Sequence, residues 1–545
     1  MLAIAADEAE SRPAANTSQE IGELRALLAD QQRQIAELRA ALKEQRDLIN
    51  SRSAGSNESN APAGVQRSSP GMPELGQVAS TTPVIPVAPA VRAPLALPLP
   101  ARVSGAQENV AQPEAPLQLH IGSASIMPVG FMDFTAVYRS TNPGSGIGTN
   151  FGSIPYNTGT TGNISEFRLS AQNSRIGLRV DAKVHGANVL GYLESDFLGF
   201  LPTNAAVTSN SDSLRMRLYW LDVRKDKVEF FAGQSWSMLT PNRKGLSALP
   251  GDLFYTQVVD VNYQEGLVWS RNPQFRFIVH PNDKIAMGLS LENPEQYIGG
   301  SGGGGLVTLP AALATPYAKQ LNDGTTSLSV PDVHPDVIAK VAFDPGSRAH
   351  LELAGLFRTF KVYNPLDLNH YTSHGYGGSA NVNFELAKGF RVVSNNYWSD
   401  GGGRWIFGQA PDLIVRPDGS LSPIHAGSTV DGFELQARNT LVYAYYGATF
   451  IRKDLAIDAT GKPIGYGYSG SPNSQNRSIH EPTFGLTQTF WRDPRYGALQ
   501  LMLQYSYVLR YPWFVASGAP KDAHASMVFV NLRYLLPGSA PRIEK

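Results

Sequence analysis

From about Ile126 to Pro537 the chain reads as segments in which apolar and polar residues alternate. In Leu499-Gln500-Leu501-Met502-Leu503-Gln504-Tyr505-Ser506-Tyr507 every odd position is apolar or aromatic, and most even ones are polar or small. Successive side chains on a strand point to opposite faces, so such a segment has one greasy face and one wet face. The connections are sorted as well, tiny on one side and long and Gly/Asn/Ser-rich on the other. Soluble sandwiches alternate without sorting their connections. A barrel fixed in a membrane sorts them, with short periplasmic turns at one rim and long extracellular loops at the other. The pattern predicts an all-β transmembrane barrel of the outer-membrane type.

Sixteen antiparallel strands are expected, at 126–139, 164–184, 188–199, 214–224, 228–237, 266–280, 283–292, 335–344, 348–363, 375–387, 389–400, 431–438, 440–452, 480–492, 497–511 and 524–537. The count is even, as bacterial single-chain barrels require. Short connections fall at sites such as His185-Gly186-Ala187, Lys225-Asp226-Lys227 and Ala387-Lys388-Gly389, and long loops at 141–163, 200–213, 238–265, 294–334, 401–430 and 453–479. Polar parity switches near Asn173-Ser174 and Pro273 interrupts the sixth strand, faults that bulges would absorb.

Parity also assigns the faces. Asn381, Asn383 and Glu385 share one face, Val382 and Phe384 the other. Lipid does not tolerate a carboxylate at mid-depth, so the polar row points inward and a water-filled lumen is expected. Sixteen strands are wide enough for an aqueous channel. The same parity places Arg168, Arg179, Arg215, Arg217, Arg276, Arg358, Arg438 and Arg533 in the lumen, opposed by Glu194, Asp196, Glu292, Glu352, Glu385 and Glu434. Ladders of charge set the field in a pore, and arginines favour anions. The plainer reading is that these arginines only neutralise lumen carboxylates and stiffen the wall.

Ahead of the strands lies a different kind of sequence. Ile21, Leu28, Ile35, Leu42 and Ile49 occupy one seam of a heptad, with Leu24, Gln31, Leu38 and Gln45 at the other. Apolar residues every 3.5 positions define a coiled-coil stripe, here over residues 21–50, and its alternating Ile and Leu do not separate dimer from trimer. Residues 51–117, rich in Pro, Ala and Ser, cannot bury enough apolar surface to fold and read as a disordered linker. Residues 1–20 read as a tail in which Ala3-Ile4-Ala5 resembles the end of a secretory signal. Residues 118–545 are then the barrel domain.

Composition narrows the functions. A formal net charge of zero argues against a nucleic-acid partner held through its phosphates. With no cysteine, thiol chemistry and zinc–thiolate sites fall away. The most apolar stretch, Val84 to Leu99, carries Pro86, Pro89, Pro94 and Pro98, which break a helix, so a helical span is not expected. No metal or cofactor is expected either. His370 and His374 stand four apart in what reads as a loop, where their rings would not converge on one ion. His350 and His480 each have a carboxylate within two residues, Glu352 and Glu481, but no serine has a G-x-S-x-G context. An outer-membrane hydrolase is therefore the weakest reading. A receptor-type barrel with a plug, or a tether from membrane to peptidoglycan through a periplasmic coiled coil, stay open beside a channel.

Val129-Gly130-Phe131-Met132-Asp133-Phe134, Asn173-Ser174-Arg175-Ile176-Gly177-Leu178-Arg179, Ala232-Gly233-Gln234-Ser235-Trp236-Ser237 and Leu289-Ser290-Leu291-Glu292-Asn293-Pro294 carry a resemblance. With the order of coiled coil, Pro-rich tether and barrel, the chain resembles the DcaP-like trimeric porins of Gram-negative outer membranes. The resemblance implies a homotrimer set in outer-membrane lipid that passes small hydrophilic solutes, small organic anions above all. It also implies a third loop, here Met238 to Gln264, folded into each lumen as a constriction. That loop would contribute Arg243 and Lys244 against Asp252 and Asp260. One departure from many outer-membrane barrels is that the sequence continues past Tyr534-Leu535-Leu536-Pro537 with Gly538 to Lys545, rather than ending on an aromatic.

The heptad generates a test. Replacing both Leu38 and Leu42 by Asp sets charge in the seam and should abolish coiled-coil helicity, while the barrels stay trimeric on native gels. Monomeric barrels after that change would mean that the helix, and not the wall, holds the assembly.

Overall fold

The computed structural model describes residues 118–199, 213–300, 304–324 and 331–537. The heptad, the tether and the start of the chain lie outside these residues, as do Gly538 to Lys545. The main sheet contains 18 hydrogen-bonded pieces. One, Leu119–Ile121, is a short strap folded back on the next strand. Two others, Glu166–Ser170 and Arg175–Val184, both pair with that same neighbour and are halves of one strand. Sixteen wall strands remain, as the alternation predicts.

The wall runs β1 (Ala124–Arg139), β2 (the two halves just named), β3 (Ala187–Asp196), β4 (Arg215–Lys225), β5 (Val228–Trp236), β6 (Arg271–Asn282), β7 (Ile285–Glu292) and β8 (Asp336–Gly346). It continues through β9 (Ala349–Asn364), β10 (Asn369–Ala387), β11 (Phe390–Asp400), β12 (His425–Ala437), β13 (Thr440–Ile451), β14 (Asn476–Asp493), β15 (Gly497–Pro512) and β16 (Ala523–Leu535). Every strand pairs antiparallel with the next in sequence, and β1 pairs with β16 from Phe131↔Leu535 to Arg139↔Met527. Closure leaves no wall edge unpaired, which a strand assembly in lipid requires. At the short-turn rim, His185 and Gly186 both take positive φ, 48° and 81°, the conformation of a tight hairpin whose twist matches its strands.

The parity assignment holds. Asn381, Asn383, Glu385 and Gln504 are buried toward the interior, while Val382, Phe384, Leu503 and Tyr505 are exposed on the outside. The switch near Asn173 is a break in the ladder between the halves of β2, where Ser174 Oγ accepts the Asp133 amide at 3.0 Å. Pro273 needs no bulge. It stands opposite Gln234, and the ladder to β7 begins one residue later at Gln274↔Glu292, so its missing N–H breaks no bond.

Four expectations need correction at the long-loop rim and inside. The β9–β10 connection is no loop at 364–374: both strands run on as a hairpin to Asn364↔Asn369. His370 and His374 therefore lie on β10, on its outward face, His370 tilted against Tyr363 and His374 stacked on Phe357 rather than the two meeting each other. Residues 401–430 and 453–479 hold small hairpins, Leu413–Val415 with Leu421–Pro423 and Asp454–Ile457 with Pro463–Tyr466, and β12 begins at His425. Lastly, the interior is not lined by polar groups throughout, because loops pack apolar side chains against part of the wall. Inward Leu190, Tyr192, Trp220 and Phe231 of β3–β5 pack against Leu249, Leu253, Phe254 and Tyr255 of the third loop. A second cluster joins Trp405, Ile406 and the Leu413–Val415 hairpin to Tyr317 and Ile338.

The outward face of β15 can be tested directly. Leu503→Arg sets a guanidinium against hydrocarbon and should lower the unfolding free energy in lipid vesicles by roughly 2–4 kcal/mol, whereas Leu503→Val should change it little.

Candidate functional site

The segment between β5 and β6, Ser237 to Ser270, leaves one side of the wall and is tied to the other. Its backbone starts by donating from Met238 N to Glu292 at 2.8 Å. Asn242 N then reaches Glu352 of β9 at 3.2 Å, Lys340 Nζ of β8 reaches Thr240 O at 2.8 Å, and Gly245 N reaches Asp344 at 2.9 Å. Arg243 extends to Glu434 of β12 with two bonds, 2.6 and 2.9 Å, and Tyr445 Oη of β13 donates to the same carboxylate at 2.7 Å. Further on, Val259 N donates to Gln504 of β15, and Glu265 N to Glu481 of β14 at 2.8 Å. A loop that follows the fifth strand is thus fastened from the seventh to the fifteenth.

Polar groups left in a low-dielectric interior must find partners, and these do so in pairs. Lys340, Glu352, His350 and Asp344 form one chain of contacts at 2.8–3.1 Å. Parity would have found Lys340, which shares the inward even row of β8 with Asp336. Across the lumen, Arg217 bonds Glu194 and Asp196 at 2.7 Å each, Arg215 bonds Asp196 at 2.9 Å, and Arg175 lies 3.4 Å from Glu194. Arg271 closes this cluster, its guanidinium 5.4 Å over Trp236 and 5.3 Å over Trp269. No carboxylate of the described residues lies within ion-pair distance of it. Four arginines here face two carboxylates. Parity would also have found Arg175, which shares the inward odd row of β2 with Arg179, whereas Arg271 escapes it because it sits at the first pair of β6.

The other predicted lumen residues fall into three kinds. Arg179, Arg358 and Arg533 are ion-paired with Asp181, Asp336 and Asp133, and Arg358 also reaches Asp412 of the 401–424 loop at 2.9 Å. Arg276 is buried on Gln274 and loop carbonyls, and Glu385 accepts Gly389 N at 2.8 Å. Arg168 shares its face with inward Val137 and is exposed. Arg438 is a correction: it lies in the β12–β13 turn at φ 52°, exposed at the short-turn rim, because the strand ends one residue earlier than its parity implied. In the third loop, Lys244 is exposed and Asp252 closes a turn by accepting Arg243 N at 2.7 Å. Asp260 accepts Asn262 N at 2.8 Å and Thr149 N at 3.2 Å, and burial pushes its carboxyl above the usual range. Beside it a small gap is lined by Tyr255 to Tyr263 of the loop and by Arg175, Gln500 and Arg533 of the wall. Of the two histidine–carboxylate neighbours, His350 does meet Glu352, but His480 points outward to Tyr446 while Glu481 points inward.

In solved structures, the outer-membrane channel DcaP of Acinetobacter baumannii matches 76% of this chain over 98% of its own length, at a TM-score of 0.55 and 17% identity. The chain has the fold of that channel. The anion-selective porin from Comamonas acidovorans matches at 12% identity and a TM-score of 0.43, over 76% of this chain and 100% of its own. The trimer form of OmpT from Vibrio cholerae matches at 11% and 0.40, over 76% and 99%. No protein-family model and no curated protein matches the chain. The DcaP-like resemblance therefore holds at the level of the fold, a wall of sixteen strands with long loops at one rim.

Glu265 gives the loop a pH dependence. Its carboxylate, held by Thr449 and next to Glu481, has its pKa raised to about 8 by burial. In the unfolded chain it ionises near 4.5, so across that window the folded state holds the extra proton, and stability falls as pH rises towards 8. Amides of 255–267 should exchange faster at pH 9 than at pH 6 after correction for intrinsic rates, and Glu265→Gln should flatten the difference.

Proposed function

We propose that the chain is a trimeric porin of the outer membrane, passing small hydrophilic solutes by diffusion, with its third loop as the constriction. The long-loop rim is then extracellular and the short-turn rim periplasmic, with the heptad at the periplasmic end. The observation that carries this reading is the loop fastened across the barrel by Arg243–Glu434 and Asn242–Glu352. A segment held at both walls by buried charge cannot swing clear, so a solute must pass beside it. The heptad adds a second role, a tether to peptidoglycan.

The permeant we infer is a small organic anion. Arg175, Arg215, Arg217 and Arg271 carry two more positive charges than Glu194 and Asp196 remove. Arg179, by contrast, is neutralised by Asp181 at 2.7 Å. An arginine that already bonds a carboxylate offers little field to a passing ion; Arg175, Arg215 and Arg217 spread one excess charge over two shared carboxylates, and the other rests on Arg271 with no carboxylate of the described residues beside it. Facing charges across a narrow gap also orient polar solutes and disfavour apolar ones.

Conductance in planar bilayers tests both statements. The wild-type chain should give steps in three equal levels with an anion-selective reversal potential. A unit charge about 4 Å from the ion path is worth roughly 1 kcal/mol even at the dielectric constant of water. Arg271→Gln should then lower the anion-to-cation permeability ratio by up to roughly fivefold, with conductance little changed. Silence from the wild-type chain would sink the channel; unchanged selectivity in the variant would move the filter elsewhere.

A further inference from the structure

The outward face of the wall is not uniform. On β6 and β7 it presents Phe275, Phe277, Met287, Leu289 and Leu291, all exposed, as contact with hydrocarbon requires. On β11 and β12 the same face carries Phe390, Val392, Trp398, Phe433 and Leu435 towards its two ends, but its middle is Ser394, Asn396, Thr429 and Asp431. These point outward because their neighbours Val393, Tyr397 and Val430 are buried inside the barrel. Asp431 stands opposite Ser394 on one side and Tyr446 on the other. Its carboxylate accepts Ser394 Oγ and Thr429 Oγ1, both at 2.6 Å, and Asn396 Nδ2 donates to Ser394 Oγ at 3.0 Å.

Depth makes this costly. About six residues separate Asp431 from the end of β12, which at ~3.3 Å each and a tilt near 40° lifts it ~15 Å above the short-turn rim, mid-way through an apolar band ~25 Å tall. An ionised carboxylate at that depth is rare, and where one occurs it faces protein or water rather than lipid. The ground around it is low: Gly378 and Ala380 of β10, Gly427 of β12 and Ala444 of β13 share the outward face. Small side chains let another backbone approach closely.

We propose that the outward face of β10–β13, centred on Asp431, is the surface through which one copy of this chain docks on another within the membrane. The proposal rests on the reading of the chain as a membrane barrel and adds the face that it uses. A second copy is the occupant for two reasons. The patch offers both an acceptor, Asp431, and a donor, Asn396 Nδ2, whose second hydrogen is left over after its bond to Ser394, so it can meet polar groups of a like surface. The heptad at Ile21 to Ile49 independently predicts self-association, which holds further copies close by.

Because the chain has no cysteine, single cysteines report single places. Asn396→Cys and, as the reference on the apolar wall, Leu289→Cys would each be coupled to a benzophenone maleimide. The purified full chain is then reconstituted in phosphatidylethanolamine/phosphatidylglycerol vesicles and irradiated. The probe at 396 should yield a chain–chain product and lose lipid adducts, while the probe at 289 yields lipid adducts alone. Ala380→Cys, which removes no hydrogen bond, serves if the first variant does not fold. Lipid adducts at both places would overturn the docking face and leave the membrane barrel standing. Absence of lipid adducts at 289 would overturn the barrel reading and this proposal with it. Asp431→Leu should abolish the chain–chain product at 396; its persistence would overturn the place given to Asp431.

Discussion

On the membrane setting proposed for it, everything in this barrel follows from the fact that hydrocarbon offers no hydrogen bonds. A strand laid in it must pair on both sides, so the sheet has to close, and the pairing of β1 with β16 over nine residues is where it does. Once the ladder is closed, pleating alone divides the side chains, one row to lipid and one to the interior. The strap Leu119–Ile121 lies against the lower end of β1, where Ala124–Ile126 also pairs with β2. The long loops have no such constraint on their outer parts, which is why they can differ in length and carry hairpins of their own.

The interior has a second constraint, the cost of an unpaired buried charge. Breaking a buried ion pair by removing one partner costs about 3–5 kcal/mol, because the other is left without compensation. Arg243, Glu434, Lys340 and Glu352 are all buried, so the third loop is held by groups that cannot easily let go. The apolar contacts of Leu249, Leu253 and Phe254 with β3–β5 fix its near side, and the charged contacts fix its far side. Position and chemistry are thus set by the same residues. The arginine cluster of β2–β4 lies against the face of the loop that carries Tyr263, through which Arg175 and Arg217 reach it electrostatically.

How much of this was legible beforehand depended on whether lipid or protein decided the outcome. Where lipid decides, as at Val382, Phe384, Leu503 and Tyr505, alternation was enough, and all sixteen strands could be placed. Where loops decide, it was not. Residues 369–374 looked like a loop because their polar and aromatic side chains rise above the wall, where no apolar row is demanded, yet they extend a hairpin. The packed interior was invisible for a related reason: Trp405, Ile406 and Leu413–Val415 lie in stretches too short to show a period. Among the site residues, Glu194, Asp196, Arg217, Glu352 and Glu434 followed from parity. Arg175, on the odd inward row of Arg179, could have been read in the same way; Arg271 could not, since a strand end resets the row, and Arg438 failed where a turn ends it.

Charge counts are a poor guide to what a solute would meet inside. The whole chain is neutral by formal count, and most interior charges cancel within a single hydrogen bond. Electrostatic influence in salt fades over about 10 Å, so a passing ion responds to the nearest uncancelled group and not to the sum. In this interior such a group is Arg271, stacked on two indole rings that shield one face and leave its charge intact. Aromatic stacking is a way to fix a guanidinium without neutralising it, whereas a carboxylate partner fixes it and removes its field. Two buried arginines can therefore differ in the field they leave around them, and only the partner tells them apart.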